Sequence, residues 1–153
     1  MTLSMTKDER EAFLAGLHVG VLAIPESGRG PLSVPIWYDY EPGGALWILT
    51  ERHSRKGRLL EPGTRVSLCA QTEAPPYRYV SVEGPVFAIE PAEIERHTRP
   101  MAYRYLGPEL GDRYIEATRE ERTAGESCVF RIRPERWLSV DYGKQFALPA
   151  DPS

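Results

Sequence analysis

Several features that would announce a function are scarce in this chain of 153 residues. Positive charge is not in excess: 19 lysines and arginines stand against 22 acidic residues, for a formal net charge of −3. A general nucleic-acid binder carries a basic footprint, so the balance argues against that class. No apolar run approaches the ~18 residues that a membrane span needs, and no membrane partner is expected. The opening MTLSMTKDEREAF is hydrophilic where a secretory leader is apolar, so a cytoplasmic location is expected. The two cysteines, Cys69 and Cys128, lie in strand-like runs and read as reduced, buried small hydrophobes rather than a disulfide framework. The three histidines, His18, His53 and His97, have no carboxylate or cysteine at ligand spacing, which argues against zinc. There is no GxSxG elbow, and neither cysteine has a histidine nearby in sequence, so nucleophilic catalysis fits poorly. SGRGP lacks the strand-to-helix setting and the Lys-Ser/Thr ending of a phosphate loop, and reads as a hairpin turn.

What is present suffices for one packed domain over 1–153. Hydrophobic residues make up 41% of the chain, and a chain of this length buries about two thirds of its unfolded surface. Thr6 and Glu9 form a capping box for a short amphipathic helix over 6–16. LHVGVLAI is a buried strand. LSVPIWYDY alternates, with Leu32, Val34, Ile36, Tyr38 and Tyr40 on one face, and Pro35 marks an edge or a bulge. EPGG turns the chain into the strand ALWILT. TRVSLCAQ and YRYVSVEGPVFAIE follow as strands, with a bulge or bend at Gly84-Pro85. The pattern turns helical over 91–122, with Pro91 in the first turn and a break at Leu106-Gly107-Pro108. This helical hairpin reads as a cover over the barrel or a dimer, bordering the substrate cleft in one version. SCVFRIRPERWLSVDYG is a sixth strand interrupted at Pro134, and 144–153 is a tail. Sequential antiparallel strands with few crossovers imply a six-stranded β-barrel with helices.

One stretch stands out. TERHSRKGRLL places Arg52, Arg55, Lys56 and Arg58 within seven positions, between a strand and a leucine pair that would pack a helix onto the barrel. A helix start favours acidic side chains, so cations there are easier to explain if an anion is bound among them. Thr50 and Ser54 add hydroxyls. Three readings stay open on the residues alone: a solvated surface helix, a nucleic-acid contact, and a phosphate or polyanion clamp.

The order of these segments resembles the split β-barrel flavin/deazaflavin oxidoreductases, the superfamily named for pyridoxamine 5′-phosphate oxidase. The likeness is carried by GVLAI…GRGPLSVPIWYDY, LWILTERHSRKGRLLEPGTRVSLCAQ, YRYVSVEGPV and PERWLSVDYGK, and spans about residues 13–144. Within the superfamily the chain is most similar to actinobacterial enzymes that use the deazaflavin coenzyme F-420. The resemblance implies that Lys56 and Arg58 hold the cofactor phosphate, with Arg55, Ser54 and Thr50 as neighbours. It implies that Val34, Pro35, Ile36 and Trp37 line the ring. It also implies a homodimer with the cofactor at the subunit interface, where Tyr77 and Tyr79 reach the ring of the other subunit. Lys144 is a further candidate for the cofactor tail or the substrate. Unlike the enzyme that names the superfamily, the chain is short and lacks its C-terminal substrate-binding segment, so true pyridoxamine-phosphate oxidase activity is not expected. The expected activity is hydride transfer from reduced F-420 to an electron-poor small molecule. FMN is the alternative cofactor, and a non-catalytic carrier is the alternative role. The charged tail of F-420 would profit from extra cations, and Arg52, Arg55 and Lys144 favour it over FMN.

Overall fold

The computed structural model describes residues 2–146. The chain forms, in order, α1 (Lys7–Ala15), β1 (Gly20–Ile24), β2 (Leu32–Ile36), β3 (Tyr38–Tyr40), β4 (Leu46–Glu51), α2 (Arg55–Leu59), β5 (Arg65–Gln71) and β6 (Arg78–Pro91). A π-helical turn (Ile94–Thr98) leads into α3 (Arg99–Ala117) and α4 (Arg119–Gly125), and β7 (Ser127–Ile132) and β8 (Arg136–Asp141) close the order. The 144–153 tail expected from sequence lies largely outside the described residues.

Eight strands replace the expected six because two of the expected strands are each broken once. The run from Leu32 to Tyr40 divides at Trp37, and the closing run divides ahead of Arg136, next to Pro134. The first break closes the barrel. β2 pairs with β1, whereas β3 pairs with β4 at the far end of the same sheet, whose order is β2-β1-β5-β6-β7-β4-β3. β6 performs the same service opposite: its first half pairs with β5 and β8, and its second half pairs with β7. Pro35, which has no ladder donor to give, therefore sits on a strand paired on one side alone.

Alternation is borne out. Ile36, Tyr38 and Tyr40 point into a core with Leu22, Ile24, Leu46, Ile48, Leu68, Val80, Val82 and Phe130, while Leu32 and Val34 pack half-buried against it. Each large side chain buried here contributes about 1.5–3 kcal/mol, so the core and not the surface ion pairs carries the fold. The capping box of α1 is present, with both reciprocal bonds between Thr6 and Glu9. The bond from the Thr6 backbone, with a second from the Lys144 ammonium at 2.9 Å, lowers the Glu9 carboxyl to about 2. Lys144 also donates to Ser4 O at 3.0 Å. It thus ties the closing segment to the start of the chain, and nothing places it at a cofactor tail.

Three local readings change. Pro91 ends β6 and does not begin a helix, because the helical geometry starts at Ile94. The register shift in β6 falls between Val86 and Ala88, just beyond Gly84-Pro85. Cys69 and Cys128 are free but only half-buried, since the inward positions of β5 belong to Val66, Leu68 and Ala70. The helical segment breaks where expected, with Gly107 at φ +78°.

Gly84 owes its place to a close approach of strands: a Cβ there would lie 1.6 Å from Arg133 O. Gly84→Ala is therefore expected to cost about 3 kcal/mol or more in chemical denaturation, because backbone must move. Gly30, with open space around it, is the control; its alanine variant is expected to stay within about 0.5 kcal/mol of the parent.

Candidate functional site

A cleft of about 280 Å³ opens where the barrel turns its corner at Trp37. Its walls come from Pro35, Ile36 and Trp37 at the corner, from Leu49, Thr50 and Glu51 at the end of β4, from Lys56 of α2, and from the helical segment through Thr98, Met101, Tyr114 and Arg122. The cleft is mixed in character, with an apolar and aromatic wall and an ionic end. Small-ligand sites have the same division of labour, and typically run from about 300 Å³ upward. The chain thus encloses room for a planar ring and leaves a larger ligand's remainder outside.

The ionic end is organised by α2. Ser54 caps it, accepting from the Gly57 N–H at 3.1 Å and donating to Glu51 O at 2.7 Å. Gly57 lets the helix lie against the strand it leaves: a Cβ there would meet Glu51 O at 2.1 Å. The four cations of the segment have different occupations. Arg52 donates to Gly57 O and to Glu61, closing the far end of α2. Arg55 pairs with Glu26 at 2.6 Å, which holds that carboxyl below its usual range. Lys56 and Arg58 have no carboxylate partner among the described residues, and of these two Lys56 lines the cleft. The end-charge argument that singled out the segment loses its direction here. A five-residue helix is about 7.5 Å long, so its first and last turns overlap.

Of the eleven residues expected at a site, the cleft gathers Thr50, Lys56, Pro35, Ile36 and Trp37. Ser54 stands beside them, its hydroxyl 3.4 Å from that of Thr50. Arg55 and Arg58 do not line it, and Val34 packs on the core side of β2. Tyr77 just precedes β6 and Tyr79 lies at its start, and neither lines the cleft.

Sequence reasoning allowed the cover to border the cleft but assigned none of its side chains to it. Trp37 stacks on Tyr105 with centroids 5.0 Å apart and planes 5° from parallel, and Tyr114 tilts onto it at 5.1 Å. The Tyr105 hydroxyl accepts from the Tyr38 N–H at 3.1 Å and lies 2.6 Å from His18 O and 3.0 Å from Tyr38 O. It thereby joins the approach to β1 to the start of β3. Arg104 adds donors to Ala15 O and Gly16 O at the end of α1. Burial raises the Tyr114 phenol above its ordinary value, so at neutral pH it stays a neutral hydroxyl at the cleft. The signal available in sequence was the density of tyrosines among the charges of this segment, without a period that assigns each to a partner.

Tyr105→Phe leaves the Tyr38 N–H and two carbonyls without that hydroxyl. It is expected to cost about 1–3 kcal/mol in urea denaturation. Tyr103→Phe, which removes an exposed bond to Asp112, is expected to cost less than half as much.

Comparison with known proteins follows the same lines. Among solved structures, a conserved hypothetical protein from Mycobacterium tuberculosis is similar at a TM-score of 0.73 and 23% identity, covering 99% of this chain and 94% of that one. An F-420 reductase is similar at 0.56 and 21%, covering 84% and 94%. A FAD-binding protein from Mesorhizobium loti is similar at 0.54 and 21%, covering 89% and 92%. At these identities the likenesses establish a shared split-barrel fold. Among curated proteins none matches. The family profile described as pyridoxamine 5′-phosphate oxidase matches residues 6–141, and the chain belongs to that family.

Proposed function

We propose that the protein is an oxidoreductase that binds coenzyme F-420 in the cleft at Trp37 and passes a hydride from its reduced form to an electron-poor small molecule. The observation that carries this reading is Lys56, which lines the ionic end of a cleft with an apolar and aromatic wall and forms no ion pair among the described residues. Lys56 would hold a phosphate, with the Thr50 hydroxyl beside it. Ile36, Leu49, Met101 and Trp37 would enclose a planar ring and keep water from it. When bound, the reduced deazaflavin supplies the hydride. The protein's own share is binding, orientation and dryness, which suits a site with no acid-base pair or nucleophile.

FMN is the second reading, and one observation raises it. Arg52, Arg55 and Lys144, the cations that favoured a long anionic tail, are engaged by Glu61, Glu26 and Glu9. The choice of F-420 therefore rests on the likeness to an F-420 reductase, while the phosphate site serves either cofactor. A carrier without turnover would use the same residues.

We propose a homodimer as the working form, because the outer face of the half-sheet beside the cleft is uncharged over most of its width. Following the ladders across, Pro35 stands opposite Val21, Val21 opposite Cys69, Cys69 opposite Ser81 and Ser81 opposite Leu138. Gln71, Tyr79 and Val140 make the next row. Leu138 is 60% exposed and Val21 42%. An apolar surface of that breadth marks an interaction site. It runs into the cleft through Pro35, and it carries Tyr79, so a second copy seated there would bring its Tyr79 toward the ring.

Lys56→Ala is expected to weaken F-420 or FMN binding by about 10- to 100-fold in fluorescence titration, the worth of a charge-assisted phosphate contact, and Lys7→Ala to leave it unchanged. Equal affinities in the two variants would remove the phosphate role. In light scattering at micromolar concentration the parent is expected to run as a dimer and Leu138→Asp as a folded monomer; a monomeric parent would sink the dimer and the role of Tyr79.

A further inference from the structure

The helical cover is dense in charge of both signs, and most of its arginines are spent in ion pairs. Arg99 pairs with Glu95 and Asp112, Arg113 with Glu109, and Arg119 with Glu116. Arg122 departs from this habit. It is half-buried, it lines the cleft, and the one hydrogen-bond partner of its side chain among the described residues is the Thr118 hydroxyl one turn back. Glu120 and Glu121 precede it and Glu126 follows it, yet none of them reaches it. Glu51 lines the same cleft and forms an ion pair with neither Arg122 nor Lys56.

The topology brings the helices that carry Arg122 and Lys56, both of which line that cleft, beside one another. α2 follows β4 and α4 precedes β7, and these strands are antiparallel neighbours with Glu51 opposite Ser127. Two backbone bonds fasten the junction: Arg52 N to Glu126 O at 2.9 Å and His53 N to Gly125 O at 3.2 Å. Two cations from different helices are thereby held on the walls of one small cavity. Like charges so placed repel, and a half-buried guanidinium without a carboxylate is costly, unless an anion is shared between them. Arginine presents a planar fork suited to two phosphate oxygens, and lysine a point charge.

We propose that Arg122 and Lys56 together form a two-cation phosphate clamp, in which the bound phosphate fastens the helical cover to α2. This rests on the reading of the cleft as a cofactor site and extends it: the cover is part of the site, and α4 at its end is steadied by the ligand's phosphate and not by its ring.

The pairing of ligands with and without a phosphate tests this directly. FMN and riboflavin are titrated against the parent, Arg122→Gln and Lys56→Gln, with F-420 and its phosphate-free deazaflavin nucleoside as the second pair. Each variant is expected to lose at least tenfold in affinity for the phosphorylated ligand and less than twofold for the phosphate-free one. Hydrogen exchange is the second readout: FMN or F-420 should slow exchange over 119–125 in the parent, and should not do so in Arg122→Gln. Equal losses for both members of a pair, or undiminished protection of 119–125 in Arg122→Gln, would overturn the clamp. If the parent binds neither cofactor, the proposed function fails separately. Inorganic pyrophosphate then decides the clamp alone: protection of 119–125 that Arg122→Gln abolishes supports it, and no protection overturns it.

Discussion

Closing one antiparallel sheet into a barrel obliges the chain to leave one half-sheet and enter the other, and here the crossing falls on Trp37. A residue at such a corner belongs to neither ladder, so its side chain and its neighbours' backbone groups must find other partners. Tyr105 provides both, its ring stacking on Trp37 while its hydroxyl serves Tyr38 and His18. The cleft exists because this corner is filled from the side by a helix and not from within by the core.

From that constraint the rest of the site follows in order. β4 runs beside the corner and ends at Glu51, and α2 turns back so closely that only a glycine at 57 fits against it. Lys56 is thereby presented to the cleft while Arg52 and Arg55 are drawn off to Glu61 and Glu26. The cover descends to the same place, bringing Tyr114 and Arg122. Barrel closure, helix placement and charge allocation are then one arrangement, in which a ring-sized space with an apolar and aromatic wall ends in two cations without an ion-pair partner among the described residues.

Much of this was legible in sequence, for reasons that differ from element to element. The capping box of α1, the alternation from Leu32 to Tyr40 and the turn at EPGG are local rules, and they held. The break of that alternation at Trp37 was not legible, because alternation continues through the corner: Ile36, Tyr38 and Tyr40 face inward on both sides of it. The basic segment was correctly singled out as unusual, but its charge count misled. Carboxylates outside the segment, Glu61 just past its end and Glu26 far before it, draw off Arg52 and Arg55 from the cleft, and the run of charges does not itself reveal which cation each will take. Arg122 was invisible for the converse reason, being one arginine among many in a charged helical segment, distinguished only by what it does not touch.

The account depends on the cleft at Trp37 being the place where a flavin-type cofactor sits with its phosphate on Lys56. The most direct test is a crystal structure of the protein grown with saturating F-420. The account predicts the deazaflavin ring against Ile36 and Trp37, the phosphate within hydrogen-bond reach of Lys56, and the partner's Tyr79 across the ring. Cofactor bound away from Lys56, or a cleft left empty at saturation, would contradict it.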